Sequence, residues 1–453
     1  MWSSVLERFE QHAPASVMAR VALEQALPPG WIDAVFEEHR ERQYSRELLF
    51  STVVELMTLV SLGLRPSLHA AARTLETLPV SLTALYDQVN RTEPGLLRAL
   101  VRGSAERLEP VMARVSTGAG LPGWRLRVLD GNHLPASEKR LAPLRGHRGA
   151  ALPGHSLVVY DPDRGLVTDI LPSEDAYQSE RAAVGPLLDG AEPGQLWIAD
   201  RQFCTRTILL GWEAARAGLL VREHGCHPRL AAEGPWRACG RTETGAVREQ
   251  RIELAGASGP WRRIELTLDT PTEAGEGVIR LWSHLPERVE ARQIARLYRR
   301  RWRIEGMFQR LEAALHSEIH SLGHPRAALL GFALAVLAHN ILALLERCIE
   351  QAHQATHPTL QVSAYHLVLR IRSSYEGMLI ALPAEQWPSL DDTDPAALVE
   401  HLTRLARNIV PRQVAASPRG PKPATKRGYV DTATARAHVA TARVLAETKA
   451  KRP

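Results

Sequence analysis

Three acidic residues stand where a sheet and a helix would expose them. Asp130 directly follows the short apolar strand Trp124 to Leu129, in Leu129-Asp130-Gly131-Asn132-His133-Leu134. Asp200 follows Gln195 to Ala199 in the same way, in Ile198-Ala199-Asp200-Arg201-Gln202-Phe203. Glu305 lies in the stretch Tyr298-Arg299-Arg300-Arg301-Trp302-Arg303-Ile304-Glu305. Carboxylates are the hard oxygen ligands that Mg²⁺ takes, and three of them can hold two divalent ions about 3.5–4 Å apart. One ion activates a water or a 3′-hydroxyl, and the other stabilises the leaving oxygen of a phosphodiester. A lone Asp after a strand usually does no more than cap a turn, so the reading rests on all three together.

The stretch around Glu305 has the spacing of one long helix. Apolar Ile294, Leu297, Ile304, Phe308, Leu311 and Leu315 recur with helical period. At about 100° per residue they share one sector. Tyr298, Arg301, Glu305 and Glu312 fall in the sector beside it, and Arg299, Arg300, Arg303 and Arg310 take the remaining face. One side therefore packs on a core, while the neighbouring edge presents carboxylates among Tyr and Arg. An amphipathic helix with a solvated charged face has the same pattern.

The elements that position these residues follow from periodicity and breakers. Residues 1–115 read as helical, with helices at Leu48 to Leu62, Ser67 to Leu78, Leu82 to Arg91 behind an N-cap at Ser81, and Leu96 to Val115. The second and third of these form either a helix-turn-helix or an ordinary helical hairpin. Ser116 to Gly123 is a linker. Strands follow at Trp124 to Leu129, Ser156 to Tyr160 and Gly165 to Leu171, then a helix from Gln178 to Leu188. Next come the Gln195 to Ala199 strand, a helix from Thr205 to Ala217 and the strand Leu219 to Arg222. Residues 226–286 alternate short strand-like pieces with Gly and Pro turns, far more chain than a sheet-to-helix connection needs, and read as an inserted β subdomain. Helices at Pro325 to Glu350, Ser363 to Ile380 and Ala397 to Asn408 form a C-terminal helical region, 323–410.

Tyr298-x2-Arg301-Trp302-x2-Glu305 resembles the start of the Tyr-Arg-Glu-Lys signature of bacterial insertion-sequence transposases, DDE enzymes of the fourth insertion-sequence family. The resemblance implies an α/β, ribonuclease-H-like catalytic core over 124–322. Asp130 and Asp200 would take the places of the first two metal-binding acids, and Glu305 the third. It further implies two Mg²⁺ ions, with Mn²⁺ able to substitute, and double-stranded DNA at transposon ends and at the target as partner. A dimer in the DNA complex follows from the same likeness. Tyr298 and Arg301 match signature positions that hold phosphates, a task suited to the Arg fork. Arg303 and Arg310 add to that basic face. Trp302 is either a stacking platform for a displaced base or a core aromatic. One position departs from the signature: its Lys would fall at residue 312, which here is Glu312. A nuclease of the same fold that does not join strands, and a DNA-binding descendant of a transposase, remain the other readings.

Composition bounds the rest. The 453 residues suffice for two or three domains. Cys204, Cys226, Cys239 and Cys348 show no paired spacing, which points to a reducing compartment; the resemblance implies the bacterial cytoplasm and its nucleoid. His224, Cys226, His227 and Cys239 match no standard zinc spacing. The apolar runs Leu48 to Leu64 and Leu329 to Leu345 are interrupted by Glu55 and by His339-Asn340, and both read as buried helices rather than membrane spans. From Pro411 onward, ten Lys and Arg stand against Asp431 and Glu447, a net of +8 in a chain of net +6. The first 410 residues thus sum to about −2, and the basic tail, 411–453, suits a polyanionic partner.

Overall fold

The computed structural model describes residues 2–417 apart from 45–46, 76–77, 117, 135–151, 227, 273–274, 316–321, 384–385 and 388–392. Helices α1 (Trp2–His12), α2 (Pro14–Ala26), α3 (Pro29–His39), α4 (Phe50–Ser61), α5 (Leu68–Ala72), α6 (Leu82–Arg91) and α7 (Pro94–Val115) occupy the first part of the chain. The Ser81 hydroxyl caps α6, accepting from the Ala84 N–H at 3.2 Å. α5 closes at Ala72, short of the expected Leu78.

Beyond the linker the chain builds one mixed sheet. Its strands are β1 (Arg125–His133), β2 (His155–Asp161), β3 (Leu166–Ser173), β4 (Gln195–Ala199) and β5 (Gly218–Arg222), followed by β6 (Leu230–Glu233), β7 (Arg237–Thr242), β8 (Gly245–Leu254), β9 (Trp261–Leu268) and β10 (Val278–Ser283). The order is β3-β2-β1-β4-β5-β10-β9-β8-β6, with β7 on β8. β1, β4 and β5 run parallel, and β2, β3 and β10 are antiparallel to their neighbours. α8 (Glu180–Ala183) and α9 (Gly185–Asp189) precede β4, and α10 (Arg206–Ala214) joins β4 to β5. The single helix expected over Gln178 to Leu188 is split, because Pro186 has no N–H to carry the helical ladder across the junction.

Residues 226–286 are strand-rich as expected. β10 pairs with β5, however, so the insertion prolongs the central sheet. Alternation along β1 sends Leu126 and Val128 to the core shared with α7 and with α13 (Pro325–His353), while Leu129 joins Trp197, Trp212, Trp261 and Trp282 on the opposite face. Asp130 therefore emerges on the Val128 side.

α13 is long and apolar enough to cross a membrane, but its apolar window is 94% buried inside the protein. The polar pair that interrupts it has a structural task. Asn340 bonds both backbone groups of Val167 at 2.8 Å, closing the edge of β3, and His339 Nε2 lies 3.1 Å from the Gly165 carbonyl. Burial pushes the His339 imidazole down to about 3, so the ring is neutral and donates through Nε2. α14 (Ala364–Ala381) and α15 (Pro395–Ala406) complete the helices among the described residues. The tail begins as ordered chain: Val414 is buried and its carbonyl accepts from Ser363 N–H at 2.8 Å. The rest of the basic tail, 418–453, lies outside the described residues.

Candidate active site

Parallel pairing aligns the acids. β1 and β4 pair up to Leu129↔Ala199, and β4 and β5 up to Ala199↔Val221. The next residues on three adjacent strands are Asp130, Asp200 and Arg222. β4 stops there, and the Asp200 carboxylate caps the following turn, accepting from Arg201 N–H at 2.6 Å. β1 does not stop at Leu129 as expected. It continues to His133 against β2, with Asp130 opposite Val158. Asp130 thus sits inside a strand, at the point where β1 outruns β4.

Glu305 arrives from the other side of the sequence. The one long helix expected there is two, α11 (Ala291–Arg299) and α12 (Trp302–Leu315). Tight turns join them, Arg301 N–H bonding Tyr298 O and Ile304 N–H bonding Arg301 O, each at 3.0 Å. The break turns Arg301 inward. Its side chain is buried, with Nη1 at 2.8 Å from Asp130 Oδ2 and Nη2 at 3.1 Å from Glu305 Oε1. Two charge-assisted bonds from one guanidinium offset the helical bonds lost at the break.

The electrostatics are those of crowded acids around one cation. Burial lifts the Asp130 carboxyl to about 6 against the pull of Arg301 and the Gly131 N–H, and the charges of Asp200 and Glu305 push it further the same way. Burial disfavours the Arg301 charge, yet Tyr298, Asp130, Asp200 and Glu305 together hold it above the ordinary value. Tyr298 is also buried, which raises its hydroxyl in spite of Arg301 beside it. Tyr298 Oη and Arg301 Nε are buried without a hydrogen-bond partner among the described residues. Orphan donors of this kind call for a water or an anionic ligand.

The donor set suits a divalent cation in chemistry, since all three acids are hard oxygen ligands and a single guanidinium leaves their repulsion incompletely neutralised. Arg301 nevertheless stands among them. As they lie, no three His, Cys, Asp or Glu side chains converge to grip an ion among the described residues. That statement also covers His224, Cys226 and Cys239, whereas His227 is outside the described residues.

The other expected site residues divide. Trp302 is 58% exposed, with the Arg301 guanidinium 5.3 Å from its ring centroid, so the core-aromatic reading gives way to an accessible ring. Arg303 donates to the Pro162 carbonyl at 2.7 Å. Arg310 pairs at 3.0 Å with Glu346, which burial pushes up to about 7. Both are committed to the protein's own groups. Glu312 is exposed. Two neighbours were not singled out from sequence. Arg222 lies in the row of Asp130 and Asp200, bonds Glu276 at 2.6 Å and acts on the Asp200 and Tyr298 charges. A charged residue directly after an apolar strand is the signal that would have found it. Glu180 lies over Gly131 so closely that a Cβ there would overlap its carboxylate; a lone Glu at a helix start gives no comparable signal.

Residues 125–341 match the family described as the transposase DDE domain. The transposase for insertion sequence element IS421 of Escherichia coli is 27% identical over 292 residues, covering 54% of this chain and 73% of the relative. A transposase ascribed to insertion sequence element IS186A of Escherichia coli strain K12 matches to the same extent. Among solved structures, the piggyBac transposase synaptic complex with hairpin DNA covers 87% of this chain and 86% of that chain, at 11% identity and a TM-score of 0.38, too loose a likeness to argue from.

Proposed function

We propose that this insertion-sequence DDE transposase cuts DNA at the ends of its element and joins them to target DNA by phosphoryl transfer at Asp130, Asp200 and Glu305. The observation that carries this reading is the meeting of Asp130 and Asp200 on neighbouring parallel strands with Glu305 through the Arg301 guanidinium. The β3-β2-β1-β4-β5 order supports a ribonuclease-H-like core. Tyr298-x2-Arg301-Trp302-x2-Glu305 supports the Tyr-Arg-Glu-Lys subgroup of the fourth insertion-sequence family, with Glu312 in place of the Lys.

DDE transposase domains generally use divalent metal ions. Mg²⁺, or Mn²⁺ in its place, would be held by Asp130, Asp200 and Glu305, and would lower the pKa of the attacking hydroxyl and stabilise the leaving oxygen. The chain's own groups do the rest. Arg301 releases the carboxylates and turns its fork to a phosphate. Tyr298 Oη, without a hydrogen-bond partner among the described residues, donates to a phosphate oxygen. Arg222 holds charge opposite Asp200. Trp302 offers its exposed ring to an unstacked base. Two copies acting together on the DNA ends, in the bacterial cytoplasm, belong to the same reading.

The test is incubation of the purified chain with Mg²⁺ and a plasmid carrying its gene with flanking genomic DNA. Excision followed by joined products supports the proposal. Cleavage without joining would mark a nuclease, and neither product would overturn the reading.

A further inference from the structure

Beyond the carboxyl ends of β4 and β5 lies a cavity of about 530 Å³ that the cleavage reading does not use. Arg181, Arg206 and Arg229 line it with His224, Cys204 and Cys226, and no Asp or Glu does so among the described residues. Elsewhere on this sheet arginines are neutralised: Arg222 meets Glu276, Arg262 meets Glu249 and Arg263 meets Glu223. Arg181, Arg206 and Arg229 pair with no carboxylate among the described residues. The remaining polar groups add no negative charge. Cys204 is buried, which pushes its thiol up to about 11 and keeps it neutral. Cys226 N–H donates to His224 Nδ1 at 3.0 Å, so the neutral ring carries its proton on Nε2 as a further donor. Three like charges around one concavity repel each other unless an anion joins them, and a guanidinium fork fits phosphate.

Location narrows the anion. Cys204 and Arg206 lie just beyond Asp200, and His224 lies just beyond Arg222, at the carboxyl ends of β4 and β5. Arg181 directly follows Glu180, the residue that covers Gly131 beside Asp130. The cavity therefore opens between two segments that both leave the acid cluster. Several cationic groups along one concavity suit a run of phosphates better than a single one.

We propose that this pocket holds the phosphodiester backbone of the DNA strand next to the cleavage centre, with Arg181, Arg206 and Arg229 on its phosphates. This rests on the DNA-cutting reading above and adds to it a second, metal-independent contact. The probe is a fluorescent DNA duplex, titrated in EDTA from about 50 to about 200 mM salt. Combined Arg181→Gln, Arg206→Gln and Arg229→Gln should flatten the slope of log K against log salt by about two to three, at roughly 0.9 per phosphate. The corresponding triple Lys variant should keep the slope. On the unaltered chain, DNA should slow iodoacetamide alkylation of Cys226 several-fold and leave Cys239 unaffected, a readout that stands even if the Gln variant fails to fold. A wild type that binds DNA while the Gln variant keeps its slope, or while Cys226 stays unprotected, overturns the pocket alone. Protection of Cys226 by sodium pyrophosphate but not by DNA overturns it in favour of a small phosphate ligand. A wild type that does not bind DNA at all overturns the pocket and the cleavage reading together.

Discussion

Arg301 reaches back 171 positions in sequence to place its Nη1 2.8 Å from Asp130 Oδ2. The second arm of the same guanidinium meets Glu305. In the free protein this side chain is thus the counter-ion of the acid cluster, in the position where a metal cation would exert the same pull.

Replacement of Arg301 should separate its two tasks. Arg301→Ala should lower Mg²⁺-dependent cleavage by about 10²–10³-fold, as expected when one preorganised donor is lost, and Arg301→Lys should recover part of it. In the absence of DNA, calorimetry should show tighter Mn²⁺ binding to Arg301→Ala, because the acids have lost their competing cation. Weaker Mn²⁺ binding by that variant would mean that the guanidinium orders the acids rather than competing for them.

The raised Asp130 carboxyl predicts a pH dependence of defined sign. Its folded value of about 6 lies above the ordinary carboxyl value of 3.8, so the folded state binds the extra proton between those limits. Without metal, this group therefore opposes folding above about pH 6 and ceases to do so as the pH falls toward 4. Thermal melts in EDTA should show wild type gaining on Asp130→Asn between about pH 7.5 and about pH 5. A constant gap between the two would contradict the shift.

Asn340 should matter for stability far from the acids. Asn340→Leu removes both bonds to Val167 and leaves a buried N–H and C=O unpaired on β3, at a cost of about 1–3 kcal/mol for each unsatisfied group. Urea unfolding should report a loss on the order of 2–6 kcal/mol. A loss below about 1 kcal/mol would show that water replaces the amide.

The tail prediction is sharpened by the order of its first residues. Val414 and Ala415 pack at the start of α14, so a clean truncation removes 418–453 and spares them. Without that segment, non-specific DNA binding should weaken and its salt slope flatten. An unchanged slope would mean that the tail does not touch DNA.

Much of this arrangement was legible from sequence for identifiable reasons. Asp130 and Asp200 follow apolar strand residues directly, and neighbours in a parallel pair share a register that needs no long-range information beyond strand order. Ser81 marked its helix start because side-chain capping is local. The break at Arg300 and Arg301 was not legible: helical periodicity continues through it, and its cause is a partner 171 residues away. The pairing of β10 with β5 was hidden likewise, since antiparallel pairing across the insertion leaves no local mark. The burial of Arg301 and the exposure of Trp302 invert what their residue types suggest, because charge pairing decides the first and the helix break the second.

The central claim is that these three acids carry out cleavage, and Asp200 tests it most directly, because among the described residues its carboxylate makes no direct ion pair, only the turn bond to Arg201 N–H. Asp200→Asn should fold, bind DNA as tightly as wild type, and show no cleavage of the gene-plus-flank plasmid in either Mg²⁺ or Mn²⁺. Cleavage at the wild-type rate by Asp200→Asn would remove Asp200 from the site and contradict the account.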